Sequence, residues 1–448
     1  MIDSEEIASA AVKRAIELGA TDAECTVSEG EEFSAAVRMR QIESLKQAGS
    51  RGAGIRVLIG RHTGSSYTSD LSPAGMENMV RAAVSVAKIT TEDPHAGLPE
   101  PAEIGSLTSD LKLYDQAIAN LATDWKIAEA LQAEEAALNA DPRIQNSEGA
   151  SFDSYLGEHV FTNSRGFLGS YRTSSCGLAV SPVAKSNGSM ERDYWYTASR
   201  RVSGMESPAE VGLRAAQRAL RRLNPRKINT QKAPVIFEAR TARSLLGDLF
   251  DAVNGGAIYR HASFLAGKLG EKIASEALTV IDDATIPGLF GSAPFDDEGV
   301  LTRRNVVVER GVLRSYLLNT YCARKLGLKT TGNASRGLSG NAGVGPGNFY
   351  IAPGAEDEQA LLRGVRGGLY VTELIGASAN TVTGDYSSGA AGLWIENGEL
   401  AYPVSEITIA GNLKQMLLDI QQVASNLEFT HSIESPAIVI GEMTISGR

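Results

Sequence analysis

Cysteine is scarce in this sequence of 448 residues, which contains only Cys25, Cys176 and Cys322. The count is odd, the three lie far apart and no Cys-x-x-Cys occurs, which excludes a disulfide framework and a zinc knuckle. Long apolar runs are also missing, since none approaches the roughly 20 residues that span a bilayer. Residues 2–19 mix charged and apolar groups, unlike a signal peptide. We therefore expect a cytoplasmic protein in a reducing compartment, with no membrane partner.

Positive charge is in deficit, because 43 lysines and arginines face 53 aspartates and glutamates and the net charge is −10. General nucleic-acid binding depends on an excess of basic side chains, so we expect no nucleic-acid partner. The basic residues that do cluster lie on one predicted helix and just after it: Arg214, Arg218, Arg221, Arg222, Arg226 and Lys227. We interpret this basic stripe as a solvated helix face or a surface for a protein partner.

Histidine is too sparse and too scattered to build a zinc site. The five histidines are His62, His95, His159, His261 and His431, and no two lie within five residues of each other. Zinc sites on helices need imidazole or thiolate ligands at short, fixed spacing, as in His-Glu-x-x-His, and that motif cannot form here. The pattern predicts ordinary surface or core histidines.

Glycine, in contrast, is abundant, with 46 residues beside a hydrophobic content of 43%. This composition indicates a globular protein with many tight turns, and the length suits two or three domains. We predict an α+β fold in three modules. Residues 1–110 form a helix–β-meander–helix unit with a linker, and residues 111–228 form a second helix–strands–helix unit. Residues 229–448 form a larger β-dominated module, barrel- or sandwich-like, with peripheral helices.

Periodicity and capping residues predict the elements within these modules. Five short strands of a meander are expected within residues 24–69, and many strands within 144–196. Helices are expected at residues 72–88, 114–139, 207–223 and 413–425. In the third module a buried strand ending at Phe237 runs directly into an amphipathic helix, and this step is the natural place to look for catalytic groups.

A set of carboxylates in the third module allows two interpretations. The residues are Asp282, Asp283, Asp296, Asp297 and Glu298. Hard cations take carboxylate oxygens, but the spacing of a calcium loop is missing. A run of acids before a hairpin is usually a solvated turn, which is the interpretation that we favour.

Two glycine-rich segments also allow a chemical and a structural interpretation. Ser387 and Ser388 lie in a small-residue turn without the Gly-x-Ser-x-Gly motif of a hydrolase, so we expect a packing role. The loop Gly340–Gly347 precedes a predicted strand, whereas a dinucleotide site needs a helix there. We expect a flexible loop that faces substrate.

Three long segments resemble the TldD/PmbA family, once described as modulators of DNA gyrase and later as metalloprotease-related. They are GSAPFDDEG, NTYCARKLGLKTTGNA and TGDYSSGAAGLWIENGELAYPVSEITIAGNL. The likeness covers essentially the whole chain and fits the PmbA (TldE) branch better than the TldD branch. The active TldD branch carries His-Glu-x-x-x-His, which falls here on Phe237, Glu238 and Ala242. It also uses a cysteine near the C-terminus, where this chain has Ser435.

The resemblance implies a PmbA/TldE-like subunit of a cytosolic TldD/TldE-type zinc metalloprotease that degrades or processes unfolded peptides. Only the glutamate of the motif is present, so this chain is expected to hold no metal or cofactor, and zinc is expected only in a TldD-like partner. The chain is then inactive without that partner, with which it forms a hetero-oligomer, or it forms a homodimer. Glu238 is expected to bond backbone amides at the helix start, with Phe237 and Ala242 beside one cavity.

Peptide substrates are expected at the β-rich third module, because extended peptides commonly add a strand to an exposed sheet edge. The residues assigned to this role are Asn333, Tyr386, Ser387 and Glu396. Two alternatives stay open. One is a stand-alone hydrolase that uses another site, such as Asp296, Asp297 and Glu298. The other is a non-enzymatic regulator of DNA gyrase or of a toxin–antitoxin system.

Overall fold

The computed structural model describes residues 3–376 and 379–447, and it shows long antiparallel strands in the first two modules. These strands are β1 (Asp22–Arg38), β2 (Gln41–Ile59), β3 (His62–Thr68), β4 (Ile144–Asn163), β5 (Leu168–Ser186), β6 (Ser189–Arg192) and β7 (Trp195–Ser199). They form one seven-stranded sheet in the order β3-β2-β1-β4-β5-β6, with β7 beside β5. Because β1 pairs with β4, the two predicted units share a single sheet.

The first module has three long strands where five short ones were expected, and the expectation was wrong for a physical reason. Five strands within residues 24–69 require turns at Gly30 and Gly49, but these glycines lie inside β1 and β2. A side-chain carbon on Gly30 would stand 3.0 Å from the ring of Tyr155 on β4. The glycine therefore makes room for a cross-strand ring, and long-range pairing overrides the local preference for a turn.

Helices cover this sheet and bury its core. They are α1 (Ser4–Glu17), α2 (Pro73–Ala87), α3 (Gln116–Ala119), α4 (Thr123–Asn139) and α5 (Pro208–Arg221), with a 3₁₀ turn at Val202–Gly204. One core forms under α1 and α2 and a second under α4 and α5. The helix predicted from residue 207 is α5, and a reciprocal capping box between Ser207 and Glu210 starts it. The single helix expected at 114–139 is instead two, α3 and α4.

The third module contains many short strands and two long hairpin strands. In chain order these are β8 (Gln231–Phe237), β9 (Val280–Asp283), β10 (Arg304–Glu309), β11 (Val312–Leu313), β12 (Ala334–Ser335), β13 (Gly343–Val344), β14 (Phe349–Ile351), β15 (Gly367–Ile375), β16 (Asp385–Glu396), β17 (Glu399–Asn412), β18 (Ile420–Val423), β19 (Ile433–Glu434) and β20 (Ile438–Ser446). The pairings β17-β16-β15-β8-β20 continue from β20 back to β17, so these strands close into a barrel. This confirms the predicted α+β class with a barrel-like third module.

The helices of the third module are α6 (Ala239–Val253), α7 (Gly255–Tyr259), α8 (Thr320–Leu326), α9 (Glu358–Gly364) and α10 (Leu413–Leu418). The helix expected at 413–425 ends at Leu418, because the next residues pair with β20 as strand β18. A tertiary pairing therefore stops the helix. Over residues 3–376 and 379–447, no helix combines the length and apolar character required to cross a membrane.

Candidate functional site

Strand β8 lies in the barrel wall and leads straight into α6. Phe237 is the last residue of β8, Glu238 is the N-cap residue of α6, and Ala242 lies in the first turn. The side chains of Phe237 and Ala242 are fully buried in the same hydrophobic core, under the helix that packs over the barrel. The positions that the resemblance assigns to two zinc ligands are thus occupied by apolar core residues.

Glu238 is buried, with 5% of its surface exposed, and it is bound by arginines from the second module. Arg218 donates from Nη2 to Oε1 at 2.7 Å and from Nη1 to Oε2 at 3.1 Å. Arg221 donates from Nη2 to Oε2 at 3.2 Å. The expectation that Glu238 bonds backbone amides at the helix start was wrong, since its side chain makes no capping bond. Two nearby guanidinium groups compete better for a carboxylate than neutral amides do.

The arginines of α5 form a buried ion-pair layer between the second and third modules. Arg218 also lies 3.3 Å from Asp193, and Arg222, the C-cap residue that follows α5, pairs with Glu373 of β15. Burial lowers the pKa of Arg218, but the charge of Glu238 and its hydrogen bonds more than offset this, so the net pKa is raised. A solvated helix face is therefore the wrong interpretation for this part of the basic stripe. Arg214 does remain solvated, with 46% of its side chain exposed.

Tyr370 and Glu358 extend the polar layer on the far side of Glu238. The Tyr370 hydroxyl lies 3.5 Å from Oε2 of Glu238 and donates to Oε1 of Glu358 at 2.6 Å. Asn426 donates to the other oxygen of Glu358 at 3.1 Å. Burial, together with the neighbouring carboxylates, raises the pKa of Tyr370, and burial likewise raises the pKa of Glu358. Burial therefore favours the neutral forms of both the Tyr370 hydroxyl and the Glu358 carboxyl.

A cavity of about 660 Å³ lies beside this layer, between the second and third modules. Glu238, Ala239 and Ser435 contribute to its wall from the third module, and the arginines of α5 contribute from the second. Aromatic side chains complete the wall: the Arg214 guanidinium lies 4.6 Å from the ring of Trp195. Phe237 and Ala242 were expected beside one cavity, but they point into the core and do not line this one.

The residues around Glu238 do not suit zinc. Zinc needs imidazole, thiolate or free carboxylate donors, and here both oxygens of Glu238 are bound by guanidinium groups. Ser435, at the position where the resemblance puts a cysteine, donates to the carbonyl of Pro436 at 2.8 Å. In the parts of the chain that the structure describes, no group of three or more His, Cys, Asp or Glu residues could hold a metal ion.

His431 is the histidine nearest to the cavity, and it belongs to a hydrogen-bonded cluster instead. Its Nδ1 lies 2.7 Å from Nη1 of Arg243 and 3.2 Å from Oε1 of Glu434. His159 does not line this cavity, and its Nε2 lies 3.5 Å from Asp297 Oδ1. Burial lowers the pKa of His159 even though Asp297 opposes this shift. The three cysteines are free and buried.

The acidic cluster of the third module is largely buried and bonded to backbone amides, so its interpretation as a solvated turn was wrong. Asp296 and Glu298 are 6% and 2% exposed. Asp296 accepts hydrogen bonds from the backbone amides of Glu298, Val300 and Ala334. Glu298 accepts from the amide of Thr320 at 2.8 Å. Burial, reinforced by the charge of Glu298, raises the pKa of Asp296 well above its usual range. These carboxylates hold loops together by accepting hydrogen bonds from backbone amides.

The glycine-rich loop is fastened to the rest of the protein. Gly347 donates its amide to Asp282 at 2.7 Å, and Asn333 donates to the other oxygen of Asp282 at 2.7 Å. The preceding residues dock on the first module, where a side-chain carbon on Gly54 would lie 1.6 Å from the carbonyl oxygen of Leu338. The close approach of two backbones at this point requires glycine.

The four residues predicted to bind peptides are not brought together in one place. Asn333 is buried in the network around Asp282. Tyr386 is 3% exposed in the barrel core, whereas the neighbouring Ser387 is exposed on β16. Glu396 is exposed at the opposite end of β16, beside the turn into β17. Their assignment to peptide binding stays a prediction.

Several residues of the site were not singled out from the sequence. Trp195, Tyr196, Glu358 and Tyr370 come from separate elements, and no sequence motif joins them. One signal was available: Arg214, Arg218 and Arg221 recur at helical spacing, so they share a face of α5. That face contacts Glu238, but only the packing of the modules shows this.

Comparison with known proteins identifies relatives across the whole chain. Family models for PmbA/TldA metallopeptidases match as domain 1 at residues 23–87, the central domain at 117–223 and the C-terminal domain at 230–447. Metalloprotease PmbA of Escherichia coli O157:H7 is 41% identical over 446 residues, which are 99% of this chain and 97% of that protein.

Solved structures share the same architecture. A candidate modulator of DNA gyrase from Bacteroides thetaiotaomicron matches with a TM-score of 0.92 at 28% identity, over 100% of both chains. TldE from Thermococcus kodakarensis matches with a TM-score of 0.87 over 98% of this chain and 100% of that one. At 22% identity, the second likeness is evidence of a shared fold alone.

Proposed function

The chain belongs to the PmbA/TldA metallopeptidase family, and from this premise we propose that it is the non-catalytic, PmbA/TldE-like subunit of a two-subunit zinc metalloprotease. Zinc and hydrolysis reside in a TldD-like partner, and the assembly degrades or matures unfolded peptides in the cytoplasm. This chain completes the chamber and shapes the access of peptides. Without the partner it forms a homodimer that does not hydrolyse peptides.

Glu238 is the single observation that carries the proposal. A glutamate that serves as the general base of a metallopeptidase must be free to position a water molecule and take its proton. Both oxygens of Glu238 already accept hydrogen bonds from Arg218 and Arg221. Phe237 and Ala242 leave no ligand on either side of it. The strand-to-helix step is therefore retained as architecture without the groups that the reaction needs.

The cavity beside Glu238 supports a role in handling flexible peptides. Its wall combines aromatic faces, such as Trp195, with arginine and glutamate side chains, so it offers apolar, cationic and anionic contacts in one space. Such a mixed lining favours no single side chain and suits substrates of varied sequence. Exposed residues of β16, Ser387 and Glu396, are proposed to contact the same peptides further along the third module.

A stand-alone hydrolase built on the acidic cluster is less well supported. Asp296 has its oxygens bonded to backbone amides, and Glu298 is bonded to the amide of Thr320. These carboxylates are already used in holding loops. The alternative that the chain regulates DNA gyrase is supported by the description of the related Bacteroides protein. The mixing experiment distinguishes the stand-alone hydrolase from the proposed subunit.

The test is to purify the chain alone, a TldD-like subunit with intact His-Glu-x-x-x-His alone, and their mixture. We expect hydrolysis of an unfolded peptide by the mixture, zinc bound in stoichiometric amount by the partner, and neither activity nor stoichiometric zinc in the isolated chain. Zinc bound tightly by the isolated chain together with peptidase activity would contradict the proposal. Activity of the isolated chain that is lost in Asp296→Asn would favour the second site.

A further inference from the structure

A smaller pocket, about 300 Å³ in volume, lies elsewhere between the second and third modules. This volume is at the lower end of the range for ligand pockets, so only a small molecule fits. Tyr171 and Thr173 of β5 line it from the second module, and Asp297 lines it from the third, together with part of the glycine-rich loop. None of the described residues that line this pocket also lines the cavity beside Glu238.

Arg200 is a buried cation in the wall of the pocket, with 8% of its surface exposed. Its Nε donates to the carbonyl of Leu289 at 2.9 Å, and its Nη1 donates to that of Ser174 at 3.3 Å. Its Nη2 donates to the carbonyl of Phe290 at 2.8 Å. Over the part of the chain that the structure describes, no acidic side chain forms a salt bridge with Arg200, and burial lowers its pKa. A buried charge without a counter-ion is costly, so Arg200 favours an anionic ligand.

The hydrogen-bonding groups of the pocket suit a carboxylate. A guanidinium has five N–H donors, and Arg200 uses three of them on carbonyl oxygens. One N–H remains on each terminal nitrogen, and two such donors match the two oxygens of a carboxylate. The hydroxyls of Tyr171, Thr173 and Ser432 belong to lining residues and have no hydrogen-bond partner within residues 3–376 and 379–447. Further polar groups of a ligand therefore also find partners.

Asp297 supplies a negative charge to the same pocket. Its Oδ1 lies 3.5 Å from Nε2 of His159, but burial lowers the pKa of His159 and so disfavours the charged ring. Its Oδ2 accepts a hydrogen bond from the backbone amide of Arg336 at 2.7 Å, whereas the guanidinium of Arg336 pairs with Glu24. A free carboxylate in the wall repels a multiply charged anion such as phosphate and attracts an ammonium group. The pocket therefore favours a ligand with one charge of each sign.

The two charges lie at different points along β5. His159, which contacts Asp297, pairs with Tyr171, whereas Arg200 is bonded at Ser174, three residues further along. At about 3.3 Å per residue these points are roughly 10 Å apart. In a free amino acid a single Cα joins the two charged groups, and a dipeptide adds one residue of up to about 3.6 Å between them. With a hydrogen bond of about 2.9 Å at each end, a dipeptide spans the distance better than an amino acid.

We propose that this pocket binds a dipeptide with free termini, its carboxylate at Arg200 and its ammonium group at Asp297. All of the groups that hold the ligand belong to this chain. The proposal therefore goes beyond the proposed function and requires no partner subunit. The small volume limits the ligand to small side chains, for which Ala-Ala is a suitable probe.

Isothermal titration calorimetry of the full, unchanged chain with Ala-Ala is the first test. We expect a dissociation constant below about 1 mM. Ala-Ala amide lacks the carboxylate and N-acetyl-Ala-Ala lacks the ammonium group, so each should bind at least about tenfold more weakly. No binding of Ala-Ala at about 10 mM, or equal affinity for Ala-Ala and its amide, would overturn the proposal. Displacement of Ala-Ala by an equal concentration of inorganic phosphate would also overturn it, because it would show a general anion site.

Two variants identify the contacts at each end of the ligand. Asp297→Asn keeps an acceptor for the amide of Arg336 but removes the charge, so it should weaken Ala-Ala about tenfold and leave N-acetyl-Ala-Ala unchanged. Arg200→Gln should weaken Ala-Ala by a similar factor and leave Ala-Ala amide unchanged. Circular dichroism checks that each variant is folded. If Arg200→Gln is unfolded because three carbonyls lose their donor, Asp297→Asn and the modified peptides decide the proposal.

Arg201→Gln and Asp110→Asn are the matched controls, since they make the same changes at exposed positions outside the pocket wall. Both should leave the dissociation constant of Ala-Ala unchanged. Variants of Asp297 and Arg200 that weaken the free and the modified peptides equally would contradict direct contact. Binding that is lost in Arg240→Gln, beside Glu238, but kept in Arg200→Gln would overturn the assignment to this pocket. All of these measurements use the chain alone, so they are independent of the assay with a TldD-like subunit.

Discussion

Nη2 of Arg218 lies 2.7 Å from Oε1 of Glu238, so a helix of the second module neutralises the one acidic group left at the strand-to-helix step of the third. Both side chains are almost fully buried, at 8% and 6% exposure. A buried ion pair contributes little when intact, because desolvation offsets the attraction, but removal of one member leaves an uncompensated charge. The pair therefore joins the modules, and it makes the closure of the second module over the third depend on charge.

Replacement of Arg218 by Met tests this dependence. Glu238 would remain buried with only Arg221 beside it, and the free energy of unfolding should fall by about 3 kcal/mol. Urea unfolding measures the change. Arg214→Met, on the same helix but half exposed, should alter stability by less than about 0.5 kcal/mol. The double variant Arg218→Met, Glu238→Leu should recover most of the loss, since it removes both charges, and a double variant as unstable as the single one would refute the ion-pair account.

The variant Glu238→Gln tests whether Glu238 takes part in catalysis. If Glu238 has no role in the chemistry, the assembled pair should keep its kcat to within about threefold, provided that the variant is folded. The same change at the glutamate of the partner's His-Glu-x-x-x-His motif should lower kcat by a factor of at least about 100. Steady-state kinetics of the two mixtures supply the comparison. A loss of similar size in both would show that Glu238 takes part in catalysis.

Asp282 should make stability depend on pH. Burial raises its pKa to about 6, against the opposing hydrogen bonds of Asn333 and Gly347. The protonated form is thus favoured in the folded state, so its contribution is complete below about pH 4 and is lost as the pH rises through about 6. Relative to Asp282→Asn, the unchanged protein should lose about 2 kcal/mol between pH 4 and pH 7. Denaturant unfolding at several pH values measures this difference.

The control for this measurement is Asp110→Asn, an exposed carboxylate. Its unfolding free energy should follow that of the unchanged protein across the same pH range. The other buried acids, Asp296 and Glu298, have raised pKa values as well, chiefly through burial. Because they are present in every variant, their contributions cancel in the difference in unfolding free energy between variants. Parallel curves for Asp282→Asn and the unchanged protein would show that folding does not raise the pKa of Asp282.

Gly54→Ala should loosen the loop that docks on the first module. The added carbon would overlap the carbonyl oxygen of Leu338 at 1.6 Å, and neither backbone can yield without a shift. We expect a loss of about 1–3 kcal/mol and faster cleavage by protease within residues 336–347. Gly367→Ala, in a strand where the nearest atom is 3.9 Å away, serves as the control. Equal protease resistance of both variants would mean that the loop does not depend on this contact.

Local patterns predicted much of the fold and failed where distant segments meet. The start of the helix at residue 207 and the strand-to-helix step at Phe237 are encoded in neighbouring residues, and both were predicted correctly. Gly30 and the residues after Leu418 were misassigned because pairing with remote strands outweighs their local preference. Asp296 was misassigned because three backbone amides, from Glu298, Val300 and Ala334, converge on it only after folding.

The sequence by itself determined the class of fold, the family, and the apolar character of Phe237 and Ala242, because these depend on residue identity and short-range order. The tertiary structure decided which groups bind the carboxylate of Glu238. A lone carboxylate can cap a helix, bind water or pair with a cation, and the sequence does not say which donors come near it. Packing of α5 against the barrel brings Arg218 and Arg221 to its two oxygens. In a buried setting, charged donors prevail over backbone amides, and this fixes the glutamate as part of the interface between modules.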